Sequence, residues 1–122
     1  MKSFSRSWKS SGLPRKQRKY RYKAPLHLRS KMLGSHLSKD LRQKYGRRAM
    51  RVRKGDRVRV MVGQFRKKEG KVTRVDTKKQ KIYIENVEVA KKDGSKAFYP
   101  VNASNVMIIE LNMDDKKRKV KK

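Results

Sequence analysis

The sequence has no cysteine, and only ten of its 122 residues are acidic. Without cysteine the chain forms neither disulfides nor thiolate metal sites, so nothing in it requires an oxidising compartment. No apolar run approaches the roughly 20 residues that a membrane-spanning helix needs. The stretch from Met1 to Arg21 is basic and polar, so we do not expect it to be a secretory signal.

Positive charge is what the chain has in excess. Its 38 lysine and arginine residues leave a formal net charge of +28 at pH 7. A free protein with this charge repels itself strongly, and a large polyanion is the kind of partner that neutralises it. The composition therefore predicts binding to nucleic acid.

Charge and apolar residues divide the chain into three segments. Residues 1–54 carry 19 basic residues and one acidic residue, whereas residues 55–111 carry 13 and seven. Apolar residues concentrate in the middle of the chain instead. We therefore predict a basic N-terminal arm over residues 1–50, a small globular domain over residues 51–111 and a basic C-terminal tail over residues 112–122.

The middle segment predicts short β-strands. Val58, Val60 and Val62 alternate with Arg57, Arg59 and Met61, which puts the three valines on one face of a strand. The Asp93-Gly94 pair predicts a hairpin turn. The predicted strands cover residues 58–62, 71–75, 82–89, 97–99 and 106–111. The last of them is apolar on both faces, so its second face needs cover, for which residues of the arm are the obvious source.

The arm predicts two short helices. Residues 25–33 begin with proline and are followed by Gly34, and residues 39–45 lie between Ser38 and Gly46, which are typical helix-capping residues. Residues 1–22 have few aliphatic side chains and no acid, so we expect them to be disordered in the free protein and extended when bound to RNA.

The sequence gives little support to a catalytic function. His27 and His36 lie in the basic arm with no metal-ligand spacing around them, and Asp114-Asp115 lies in a charged tail. No phosphate-binding glycine loop, dinucleotide motif or nucleophile elbow occurs. We expect no enzymatic activity, no cofactor and no small-molecule substrate.

Two basic clusters precede the predicted domain. Residues 14–23 hold six cations and two tyrosines, and Trp8 lies between Arg6 and Lys9. Cations bind phosphates and planar side chains stack on unpaired bases, although a solubilising tail or a nuclear import signal has a similar composition. Residues 46–55 alternate cations with small or apolar residues, which predicts arginines on one side of an edge strand or, alternatively, a solvated linker.

The predicted loop between the first two strands is a third basic cluster. It is bracketed by Gly63 and Gly70, and glycine permits positive φ and close backbone approach. Across the three clusters and the first predicted helix of the arm, the candidate RNA-binding residues are Arg15, Lys16, Arg18, Lys19, Tyr20, Arg21, Tyr22, His27, Arg29, Lys31, Arg47, Arg48, Arg51, Arg53, Lys54, Gly63, Arg66, Lys67, Lys68, Gly70 and Lys71.

Residues 54–76 resemble a KOW motif, the signature of small SH3-like barrels in ribosomal proteins and transcription elongation factors. The flanking segments 24–29, 37–48, 99–101 and 104–106 are similar to those of the large-subunit ribosomal protein twenty-four family, in its archaeal and eukaryotic form, the counterpart of eukaryotic large-subunit protein twenty-six. The resemblance covers residues 14–117. Similar proteins usually carry glycine where Lys67 stands and proline where Arg51 stands.

The resemblance implies a mainly β fold, an SH3-like (KOW) barrel with a basic arm that contains short helices. It also implies a structural role in the large ribosomal subunit in the cytoplasm, with large-subunit rRNA bound early in assembly near the peptide exit tunnel. The implied partners are this rRNA, neighbouring large-subunit proteins, and targeting or translocation factors at the tunnel exit. Membrane insertion is not implied.

Two alternative functions are compatible with the same composition. A KOW-type transcription elongation or antitermination factor usually has a further folded domain before the barrel, and the arm has too few apolar residues to form one. A basic DNA-compacting protein would bind duplex DNA as tightly as RNA.

Overall fold

The structure is a computed structural model that describes residues 4–8 and 11–118. Its elements in chain order are α1 (Pro14–Lys23), α2 (Leu26–Lys31), β1 (Gly34–Leu37), α3 (Lys39–Tyr45), β2 (Ala49–Arg51), β3 (Arg57–Val60), β4 (Glu69–Asp76), β5 (Lys81–Ile84), β6 (Glu88–Ala90), β7 (Lys96–Phe98), a 3₁₀ turn (Ala103–Asn105) and β8 (Val106–Glu110). None of the helices in the described ranges is long and apolar enough to cross a membrane.

Both predicted helices of the arm are confirmed, as α2 and α3. The Ser38 hydroxyl accepts a hydrogen bond from the backbone N–H of Leu41 at 3.4 Å, which caps the start of α3. Gly46 ends α3 in the left-handed conformation with φ 63°. A residue without Cβ adopts that conformation at little cost, and this is why glycine so often follows a helix.

Helix α1 corrects the expectation of an extended arm. Pro14 occupies the first turn, where its missing N–H costs nothing, and the residues after it are mostly lysine, arginine and glutamine, which favour helices. Ala24, which precedes Pro25, adopts extended backbone and ends the helix. The prediction underestimated local helix propensity in a segment with little apolar surface. Residues 1–3, 9 and 10, for which disorder was also expected, lie outside the described part of the chain.

The β domain consists of one six-stranded sheet and one separate hairpin. The sheet has the order β2-β1-β8-β3-β4-β5, with β1 and β8 parallel and the other neighbours antiparallel. β6 and β7 pair as the predicted hairpin around Gly94. Among the described residues β2 and β5, at the two ends of the sheet, do not pair, so the small β domain is confirmed and the sheet is open rather than a closed barrel.

Strand β1 joins the sheet beside the last strand and does not cover its second face, where Met107 and Ile109 stay half-buried, so the predicted cover by the arm is wrong. His36 pairs with Met107 and Leu37 with Ile108, so part of the predicted arm is a strand of the domain's own sheet. Leu33 and Leu37 are fully buried. The residues that form the buried core are Leu33, Leu37, Val52, Val58, Val60, Val72, Ile82, Ile84, Val87, Val101, Ala103, Val106 and Ile108.

The first predicted strand is shorter than its valine pattern suggests. β3 ends at Val60, so the predicted place of Val62 in this strand is wrong. Val58 and Val60 are buried, whereas Val62 is 62% exposed. The backbone N–H of Met61 then donates to the carbonyl of Asn105 at 2.8 Å, and the chain turns into the loop.

A buried ion pair ties the tail to the domain. Asp56 has no exposed surface and Arg118 is 5% exposed. Arg118 Nη2 donates to Asp56 Oδ2 at 2.7 Å, and Nη1 donates to Oδ1. The backbone N–H groups of Arg53 and Asn112 also donate to this carboxylate, each at 2.9 Å. The Asp56 carboxylate therefore joins the start of the domain to the tail.

Candidate RNA interface

Helix α1 carries seven of the predicted residues and divides them between two faces. Lys16, Lys19 and Tyr20 lie on the face that lines a groove with Phe4 and Trp8. At 100° per residue the opposite face carries three others, Arg18, Arg21 and Tyr22, all of which are exposed. Arg15, the seventh, is exposed at the start of the helix.

The aromatic side chains near α1 have different surroundings. Trp8 stacks on Tyr20, with ring centroids 5.4 Å apart and planes at 27°, and Phe4 lies 4.9 Å from the same tyrosine. These rings therefore hold residues 4–8 against the helix. Tyr22 is 80% exposed, so it is the aromatic side chain of α1 most accessible to an unpaired base.

Helix α2 presents His27 and Lys31 to solvent, but Arg29 is used within the protein. Arg29 Nη1 donates to the carbonyl of Lys78 at 3.0 Å, and Nη2 donates to the carbonyl of Tyr22. This guanidinium fixes the end of α1 to the turn between β4 and β5. Arg29 is a structural residue in this arrangement, and the sequence offers no signal that separates it from its neighbours.

The second cluster contains a three-residue edge strand that includes Arg51, so the predicted edge strand is confirmed for this arginine only. β2 is at the end of the sheet, and Arg47, Arg48 and Arg51 are exposed on it or just before it. Lys54 is exposed in the turn before β3. Arg53 instead forms an ion pair with Asp115.

Asp115 is held in its charged form by its local bonds. The backbone N–H of Lys117 donates to Asp115 Oδ1 at 2.8 Å. This bond, with a smaller contribution from the Arg53 guanidinium, holds the pKa of Asp115 below its usual value of 3.8. The Arg53–Asp115 pair is therefore charged throughout the neutral range, and it partly neutralises one predicted RNA contact.

The loop between β3 and β4 shows why its glycines are needed. Gly63 has φ 97° with open space around it, and Gly70 is packed so that a Cβ would lie 2.4 Å from the carbonyl oxygen of Glu85. Lys67 has φ 73°. This turn therefore places a side chain in a conformation that L-residues disfavour.

One cation of the loop lies against an aromatic side chain. Arg66, Lys67 and Lys68 are exposed, and Lys71 is exposed on β4. The ammonium of Lys68 lies 5.1 Å from the centroid of the Phe65 ring. Phe65 contacts Tyr99, with centroids 5.1 Å apart. Neither ring is among the residues predicted from the sequence, because the two are distant in the chain, and the signal for Phe65 in the sequence is its place inside a basic loop.

The acidic residues pair mostly with arginines that are not predicted RNA contacts. In the described ranges the ion pairs involve Arg53, Arg57, Arg59, Arg74 and Arg118. Of these only Arg53 is a predicted RNA contact. The cations of α1, the 47–51 segment and the 63–71 loop have no acidic partner within the part of the chain that the structure describes. Their charge is therefore available to a polyanion.

No group of three histidine, cysteine or carboxylate residues in the described segments is arranged to hold a metal ion. Exposed cations and exposed rings are what these segments offer to a ligand.

Comparison with known proteins shows a family match. The family described as ribosomal proteins L26 (eukaryotic) and L24p (archaeal) matches residues 11–121.

Proposed function

Because the chain belongs to this family of large-subunit ribosomal proteins, we propose that it binds large-subunit rRNA as a structural, non-enzymatic component of the ribosome. The family resemblance inferred from the sequence is thereby confirmed. The observation that carries the proposal is the set of exposed cations on α1, on the 47–51 segment and on the 63–71 loop that no carboxylate in the described ranges neutralises. Phosphates are the natural partners of such cations.

The proposed mechanism assigns different tasks to the three segments. The arm (residues 1–50) contacts RNA through α1 and α2, the domain (residues 51–111) docks its loop on the phosphate backbone, and the tail (residues 112–122) stabilises the domain through Arg118. Arm and domain are not independent bodies, since β1 is a strand of the shared sheet. An SH3-like (KOW) arrangement of β3 and β4 is part of this proposal.

The proposed setting is the cytoplasmic large subunit, near the peptide exit tunnel, with binding early in assembly. Neighbouring large-subunit proteins, and targeting or translocation factors at the tunnel exit, are the proposed protein partners. Sedimentation of the tagged chain through a sucrose gradient tests this setting. The chain should travel with the large subunit at moderate salt, whereas co-purification with RNA polymerase instead would favour a transcription factor.

A triple substitution tests the loop directly. Arg66→Ser, Lys67→Ser and Lys68→Ser together should weaken rRNA binding and leave the melting temperature nearly unchanged, because exposed substitutions typically shift stability by no more than about 0.5 kcal/mol. The matched control is Lys91→Ser, Lys92→Ser and Lys96→Ser, which removes the same charge from the exposed β6–β7 hairpin.

The control separates local contacts from net charge. If the loop contacts phosphates, the loop variant loses more affinity than the hairpin variant. Equal losses would show that only net charge matters, and unfolding of the loop variant would show that these residues are structural.

A further inference from the structure

A cleft beside the loop is lined by rings and amides that are not in the predicted contact set. It has a volume of about 190 Å³, and its walls include Gln64, Phe65, Lys81, Tyr99, Asn102 and Asn105. Pockets for drug-sized ligands usually measure roughly 300–1,000 Å³. The cleft therefore has space for a single ring system rather than for a whole nucleotide or a peptide segment.

Tyr99 is the ring that the cleft presents to a ligand. Its side chain is 41% exposed, and its plane is tilted by 51° to that of Phe65. Phe65 is less accessible because it contacts both Tyr99 and the ammonium of Lys68. An exposed tyrosine backed by a second ring is a surface on which a planar group stacks.

The polar groups of the cleft suit the edge of a nucleobase. Lys81 Nζ donates to Asn102 Oδ1 at 2.5 Å. The group that Asn102 offers to a ligand is therefore its NH₂, which only donates. The amides of Gln64 and Asn105 each carry a donor and an acceptor. Amide side chains of this kind pair with the hydrogen-bonding edges of unpaired bases.

The walls of the cleft are held by backbone hydrogen bonds. The N–H of Tyr99 donates to the carbonyl of Val87 at 2.9 Å, and Val101 exchanges two bonds of 2.9 Å with Ile82. The N–H of Asn105 donates to the carbonyl of Asn102 at 3.0 Å. The backbone that carries the tyrosine and the asparagines is therefore positioned before any ligand arrives, which lowers the entropy cost of binding.

Two loop cations, Arg66 and Lys67, directly follow Gln64 and Phe65 in the chain, and both are exposed. A nucleotide whose phosphate lies on these side chains has its base close to the cleft. We infer that the cleft takes one unpaired nucleobase of bound RNA, stacked on Tyr99 and hydrogen-bonded by the asparagine amides. This inference rests on the proposed function, because the phosphate contacts of the loop bring RNA to the cleft.

Substitution of Tyr99 in the full chain tests the stacking. The probes are transcribed large-subunit rRNA, which contains unpaired bases, and a fully paired RNA duplex, which does not. Base–aromatic stacking predicts that Tyr99→Leu weakens rRNA binding by about 5- to 140-fold. Tyr99→Phe, which keeps the ring, should bind rRNA as the unaltered chain does, and both variants should bind the duplex unchanged.

The outcomes separate this inference from the proposed function. Unchanged rRNA affinity in Tyr99→Leu overturns the base site and leaves phosphate binding intact. Equal loss for rRNA and duplex shows a general defect of the fold and also overturns it. If the unaltered chain does not bind rRNA, the proposed function fails and the base site fails with it.

Ultraviolet cross-linking provides a measurement that needs no variant. Irradiation of large subunits that contain the unaltered chain should attach a nucleotide to the peptide that includes Tyr99. Cross-links confined to other peptides would overturn the inference. A cross-link from Tyr99 to a neighbouring protein would identify the cleft as a protein-docking site and would overturn it as well.

Discussion

At the scale of single residues, backbone conformation constrains residues 63–71 more than side-chain chemistry does. Gly63 and Lys67 both have positive φ, and Gly70 lies against the backbone of Glu85, in the turn that follows β5. Two positions of the loop and one at the start of β4 are thus constrained for two different reasons. The cations of the loop sit on a backbone that is largely determined by these constraints.

Lys67→Gly should raise the free energy of unfolding. A left-handed L-residue costs roughly 1–2 kcal/mol and glycine adds roughly 0.5–1 kcal/mol of chain entropy, so the expected gain is about 0.5–1 kcal/mol. Urea unfolding measures it. Lys67→Ala is the matched control because it removes the same charge and keeps the strained φ; equal stability of the two variants would contradict the explanation.

Gly70→Ala should destabilise the domain. The added Cβ would lie 2.4 Å from the carbonyl oxygen of Glu85, so the backbone must move. Overpacking of this kind typically costs about 1–3 kcal/mol. Gly34→Ala is the control, since nothing lies within 4 Å of a Cβ there, and a melting series in which Gly34→Ala is the more damaging change would refute the prediction.

At the scale of elements, the tail is the segment whose role the sequence least suggested. Arg118 reaches the Asp56 carboxylate and also donates to the carbonyls of Arg51, at 3.0 Å, and Asn112, at 2.9 Å. One side chain therefore connects the tail to the end of β2 and to the buried Asp56 carboxylate, and its bond to Asn112 lies within the tail. A residue that looks like solvated charge in a basic tail is buried in the structure.

Arg118→Ala should cost about 3–5 kcal/mol of stability, because it leaves the buried Asp56 carboxylate without its counter-charge. Lys117→Ala, an exposed neighbour of the same charge, should change stability by no more than about 0.5 kcal/mol. Denaturant titration compares them. The double variant Asp56→Asn, Arg118→Met should be more stable than Arg118→Ala, and a double variant that is no better would show that the pair does not act as a unit.

At the scale of the whole molecule, charge predicts how binding depends on salt. Each phosphate that a cation neutralises on duplex nucleic acid adds about 0.9 to the slope of log affinity against log salt concentration. Titrations of the full chain with rRNA over a salt series should give a steep slope. The loop triple variant should reduce it by roughly 2–3, and a flat dependence in the unaltered chain would contradict binding by charge neutralisation.

Local patterns were enough to predict much of the fold. Ser38 and Gly46 act within one turn of α3, and the alternation of Val58 with Val60 places both on the buried face of β3. The Asp93-Gly94 turn likewise needs only its own hairpin. Caps, turns and strand periodicity depend on neighbours in the chain, so the sequence by itself determined these elements, the net charge and, through its motifs, the family.

Only the tertiary structure decided which cations remain available and what lies beside them. Arg29 and Arg118 resemble the other basic residues in the sequence, yet one fixes α1 to the β4–β5 turn and the other is buried against Asp56. The cleft at Tyr99 arises because the segment after β7 passes beside the loop that contains Phe65. Such contacts join residues that are far apart in sequence, and their energy depends on burial and geometry that no local pattern encodes.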